Sequence, residues 1–195
     1  MAASWLLVFS LAASAVPPVA EPAVTPASAP ACSATEHRQF DFWAGDWVVT
    51  RPDTGAELGR NTISHAAGAC LLREHWRGGS GFEGHSLNAY DRRRGAWMQV
   101  WVGADGVVLR LEGGLRDGAM VLEGELPQAS GGVQRQRITW TPAADGSVTQ
   151  HWQVSDDDGG SWRTSFLGVY RRAGAAGEAD QARGEPGSGE GAPKP

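Results

Sequence analysis

Between Trp47 and Tyr170 polar and apolar residues alternate in short runs, the two-residue period of strands that keep one face dry and one wet. In the run GVQRQRITW, Arg135, Arg137 and Thr139 mark the wet face, so Gln134, Gln136, Ile138 and Trp140 point inward. In SVTQHWQV, Thr149, His151 and Gln153 look out, leaving Val148, Gln150, Trp152 and Val154 inside. The same rule turns Arg73, His75 and Arg77 outward with Leu72, Glu74 and Trp76 inward, and Arg110 and Glu112 outward with Leu109 and Leu111 inward. The run AWMQVWV reads either way by charge. Trp97, Gln99 and Trp101 are placed inside because neighbouring inward sets also mix large aromatics with amides.

Turn chemistry separates these runs: Asp53-Thr54-Gly55, Arg77-Gly78-Gly79, Asp91 to Gly95, Asp105-Gly106, Asp117-Gly118, Asp145-Gly146 and Asp156 to Gly160. Asp-Gly supplies the positive-φ geometry of tight hairpins. Ten strands are predicted, near Trp47, Arg60, Leu72, Leu87, Val100, Leu109, Leu122, Ile138, Trp152 and Phe166. Connections this short pair neighbours in sequence and make a meander, and closing the meander removes its exposed edges. The predicted fold is therefore all-β, an antiparallel up-and-down barrel. The stretch Glu36 to Ala44 has helical potential and is expected to plug one mouth.

The ends of the chain read differently. Residues 1–15 (MAASWLLVFSLAASA) carry an apolar run and end in the small-x-small pattern of a signal peptide, with cleavage expected after Ala15. The run is too short for a stable membrane anchor, and no other stretch is apolar for long enough to span. Residues 16–31 read as a Pro/Ala-rich linker, and 173–195, with no aromatic or β-branched residue, as a disordered tail. The folding unit is 32–172. It holds 17 acidic and 15 basic residues, so it has no basic stripe for nucleic acid or anionic lipid.

Two cysteines, Cys32 at the domain edge and Cys70 inside it, in a chain read as exported, predict a disulfide, which by loop-closure entropy would contribute on the order of 3 kcal/mol. Lipidation of Cys32 is the rival reading, but Ala29-Pro30-Ala31 matches a lipoprotein cleavage site poorly.

The segments FDFWAGDWVV (Phe40 to Val49), GACLLREHW (Gly68 to Trp76), SLNAYD (Ser86 to Asp91) and WMQVWV (Trp97 to Val102) together resemble an exported bacterial family of unknown function whose domain opens with a Phe-Asp-Phe-Trp, Gly, Trp signature. The resemblance covers nearly all of the folding unit and implies a lipocalin-like, calycin-type barrel. It implies no activity and no site residues. A more distant likeness, through Gly45-Asp46-Trp47, is to haem-binding barrels that use a late histidine as axial ligand. No histidine follows the outward His151 here, so no cofactor is expected.

Candidate chemistry is sparse. Ser155, Asp157, Gly159, Ser161 and Trp162 fit an Asp-box, which in a single copy reads as a structural hairpin. The five histidines form no H-x-H or H-x-x-x-H pattern and no acid stands at ligand spacing, so no metal is expected, although His75, His85 and His151 could converge. No strained nucleophile turn frames a serine. The informative feature is the inward set: Trp76, Trp97, Trp101, Trp140, Trp152, Phe166 and Tyr170 beside Glu74, Gln99, Gln136 and Gln150. Buried polar groups are costly unless partnered, and a cavity with ligand or water supplies partners. The leading expectation is a non-catalytic binding protein for a small, mostly apolar ligand. Two other readings are an enzyme using buried Glu74 as acid or base, and an envelope interaction module with a solid core and an exposed apolar patch.

Overall fold

The computed structural model describes residues 31–174; the expected signal peptide, and all but the last residue of the linker and the first two of the tail, lie outside the described residues. The chain forms ten antiparallel strands: β1 (Gly45–Thr50), β2 (Glu57–Ala66), β3 (Leu71–Gly78), β4 (Glu83–Asp91), β5 (Ala96–Gly103), β6 (Val108–Arg116), β7 (Ala119–Pro127), β8 (Val133–Pro142), β9 (Val148–Ser155) and β10 (Arg163–Arg172). Each pairs with the next, and β10 returns to pair with β1, closing the barrel. The predicted all-β fold is the one observed, with every predicted strand present. Positive φ at Gly106, Asp117, Gly118 and Gly146 gives the Asp-Gly turns the geometry that reverses the chain within a few residues.

The expected N-terminal helix is a pair of short 3-10 turns, Thr35–Arg38 and Asp41–Trp43. Phe40 stacks on Trp43 at 4.9 Å and meets Trp97 and Trp140 edge-on, and all four side chains are buried. Two indole N–H groups fix the backbone of this segment: Trp97 donates to the Glu36 carbonyl at 3.1 Å and Trp47 to the Trp43 carbonyl at 2.9 Å. The Cys32–Cys70 disulfide forms, joining the start of the segment to the turn between β2 and β3. One end of the barrel is thus packed solid with aromatics.

The other end carries the hairpin loops after β1, β3, β5, β7 and β9. The Asp-box lies here and is a structural turn: Asp157 accepts the Ser161 N–H at 2.8 Å and the hydroxyls of Ser161 and Ser155, both at 2.7 Å. Those bonds hold its carboxyl down to about 2. Among the described residues no helix is long and apolar enough to cross a membrane.

Candidate functional site

At the loop end the barrel is hollow, with a cavity of about 290 Å³, near the lower limit of small-molecule pockets. Its upper wall is aromatic: Trp76, Trp101, Trp152 and Phe166, with Phe82 at the rim. Trp76 and Phe166 meet edge-on across β3 and β10 with centroids 5.8 Å apart. Trp101 finds room only because Gly84 stands opposite it, where a Cβ would lie 2.2 Å from the indole ring.

The floor is polar. Glu74 on β3 is 6 % exposed and accepts from Asn61 Nδ2 of β2 at 2.7 Å and from Ser86 Oγ of β4 at 2.5 Å. Ser86 accepts from Asn88 Nδ2 at 2.8 Å, and Asn88 Oδ1 accepts from Gln99 Nε2 of β5 at 2.8 Å. On the other side Tyr170 of β10 accepts from Asn61 at 3.3 Å and donates to Gln150 of β9. The network therefore spans six strands. It gives most of its buried members partners, which is how a barrel tolerates polar groups inside. The buried Asn61 Oδ1 has no partner. Burial pushes the Glu74 carboxyl up to about 7, against the lowering effect of its two donors. Tyr170 is raised well above the ordinary phenol range, first by burial and then by the neighbouring Glu74.

Seven of the ten residues expected to line a ligand site do line this cavity: Glu74, Trp76, Gln99, Trp101, Gln150, Trp152 and Phe166. Three lie elsewhere. Trp97 and Trp140 face inward as expected but pack against Phe40 at the plugged end, because the N-terminal segment fills the space beside them. Gln136 sits behind the wall, where it accepts from Trp152 Nε1 at 2.8 Å and donates to Gln134. Sequence reasoning missed Asn61, Ser86 and Asn88, all buried in the network. It also missed Asp105, Val107 and Leu126 at or near the loop end, and the lining positions Leu109, Ile138, Ser165 and Tyr170 complete the surface.

Outside the barrel the β3–β4 register corrects the expectation that no acid accompanies the histidines. His75 and His85 are a cross-strand pair with rings stacked at 4.3 Å, and Glu83 Oε1 lies 2.5 Å from His75 Nε2 and 3.4 Å from His85 Nε2. Two imidazoles and a carboxylate within 4.8 Å are a donor set that suits a transition metal. Arg77 Nη1, 3.2 Å from His75 Nδ1, adds a competing positive charge. His151 is no part of the group: it meets Thr164 between β9 and β10. The outer faces of β4 to β6 also carry exposed Leu87, Met98, Val102 and Val108, an apolar patch of the kind expected for an interaction module.

The chain matches no family model and no curated protein.

Proposed function

We propose that the protein is an exported, non-catalytic binding protein that takes a small, mostly apolar molecule into the open half of its barrel. The observation that carries the reading is the cavity itself: one end of the barrel is filled by Phe40 and its tryptophan partners, whereas the other keeps an aromatic-walled space above a polar floor. Aromatic walls supply contact area, and the floor orients whatever enters. Export is supported by the Cys32–Cys70 disulfide and by the signal-like residues 1–15, and the Phe-Asp-Phe-Trp opening motif supports kinship with the exported bacterial family it resembles.

Native mass spectrometry of the protein produced with its own leader in a bacterial periplasm tests the reading. The expected result is a discrete added mass that leaves on denaturation. A bare chain mass, together with no thermal shift from a library of small aromatic compounds, overturns it.

One observation favours a second reading. A buried carboxyl near 7 is poised as a general acid or base. Glu74→Gln separates the two, since an enzyme loses turnover while a binding protein keeps its affinity for neutral apolar ligands.

A further inference from the structure

The cavity is electrostatically one-sided. Its lining contains two carboxylates, Glu74 on the floor and Asp105 toward the mouth, and among the described residues no lysine, arginine or histidine. Three of its hydrogen-bond donors are already engaged. The Trp152 N–H is committed to Gln136, the Tyr170 O–H to Gln150 and the Gln99 amide to Asn88, so these donors are spent inside the wall. The Glu74 carboxylate accepts only two bonds, which leaves lone pairs for a third donor. Above it stand three indoles, a ring type whose quadrupole attracts cations. Asp105 has a turn role, accepting the Val107 N–H at 3.1 Å, yet its charge still adds to the negative field at the entrance.

We infer that the ligand of this cavity is a lipophilic amine, bound as the ammonium: its apolar part lies against Trp76, Trp101 and Trp152, and its N–H donates to Glu74. The inference rests on the binding reading above and adds the ligand's class. It disfavours carboxylates most strongly near pH 8, where they would meet two like charges in a poorly hydrated space.

The proton linkage gives the inference a sign. Glu74 faces Asn61, Ser86 and Tyr170 from β2, β4 and β10; the first two do not titrate, and Tyr170 stays neutral at and below pH 8 because its pKa is raised. With the carboxyl near 7 in the empty barrel, an ammonium must displace a proton at acid pH and need not at alkaline pH. Amine affinity therefore rises as pH increases from about 5.5 to about 8, by roughly tenfold or more. A neutral ligand that uses only the aromatic wall shows no such rise.

The test uses a matched trio, 4-phenylbutylamine, 4-phenylbutanol and 4-phenylbutyrate, titrated by calorimetry into the full mature chain at both pH values. The expected result is an amine at least tenfold tighter than the alcohol near pH 8, its advantage shrinking at pH 5.5, with the acid weakest. Glu74→Gln is expected to abolish the amine's advantage and its pH dependence while the alcohol still binds. Should that variant fail to fold, the wild-type pH series decides alone. Alcohol binding as tightly as amine at both pH values overturns the amine inference and leaves the apolar-ligand reading standing. If none of the three binds, both fall.

Discussion

Glu74 is held where an ionised carboxyl is expensive, and the cost is visible in stability as well as in binding. Its folded-state value of about 7 lies above the 4.5 of a free glutamate, so the folded chain keeps this proton when the unfolded chain has already lost it. A raised acid favours the folded state at low pH, and that advantage is lost as pH climbs from about 4.5 to about 7. The size is on the order of 3 kcal/mol. Urea unfolding at about pH 5 and pH 8 measures it: the stability of Glu74→Gln relative to wild type is expected to improve toward pH 8 by one to a few kcal/mol, roughly, as the uncharged amide escapes the desolvation penalty. A constant difference between the two proteins across that window would show that Glu74 is ionised throughout. The neighbouring residues explain why the site was only partly legible. Glu74 stood out because a lone acid alternated with Leu72 and Trp76, whereas Asn61, Ser86 and Asn88 did not: β4 carries Ser86 and Asn88 inside and Leu87 outside, the reverse of the usual contrast. Alternation identifies a face only when the dry face is apolar, and a polar barrel floor removes that signal.

At the scale of elements, strand order and turns were readable because each connection is short and carries its own φ requirement, which local sequence determines. What could not be read was where the inward side chains end up along the barrel axis. Trp97 and Trp101 sit on one strand and share one face, but the first packs beneath Phe40 and the second lines the cavity. That division depends on how far the N-terminal segment enters the barrel, a tertiary fact. The β4–β5 ladder decides the shape of the cavity through a single missing side chain. Gly84 pairs with Gly103, two residue pairs from Trp101 and Ser86, and Trp101 lies over it at a distance that no Cβ tolerates. Gly84→Val is expected to drive the indole from its seat, costing about 1–3 kcal/mol by overpacking. Thermal melting reports the loss, and calorimetry with 4-phenylbutanol reports the altered wall. A variant that melts like wild type and binds equally well would mean that Trp101 has another place to go, and that Gly84 is not what shapes the wall. The His75, Glu83 and His85 group teaches the same lesson, since Glu83 and His85 share the outer face of β4 two residues apart but only the register of β3 against β4 brings His75 to them.

Closure of the whole molecule rests on its shortest ladder. β1 meets β10 through four register pairs, Trp47 with Arg172 to Thr50 with Val169, whereas β7 meets β8 through eight. Opening here exposes two unpaired edges, so it is costly, but it breaks the fewest hydrogen bonds of any way to open the barrel. The plugged end works against such opening. Arg172 lies over the Trp47 ring at 3.9 Å and donates to the Ala44 carbonyl at 2.6 Å, and the segment leading into β1 is tied through Cys32 to Cys70 in the turn before β3. The disulfide thus restrains the strand that closes the barrel although neither cysteine lies in it. Reducing it is expected to lower global stability by about 3 kcal/mol through the longer accessible loop in the unfolded chain. It is also expected to act unevenly on the native state: in hydrogen exchange the backbone amides of Val48 to Thr50 and Val169 to Tyr170 lose protection first, while those of β7 and β8 follow only the global loss. Equal loss of protection in all ten strands would place the bond's effect entirely in the unfolded chain and make the seam no weaker than the rest. Preferential loss at the seam would instead identify the covalent tie as what keeps the barrel, and with it the cavity, closed.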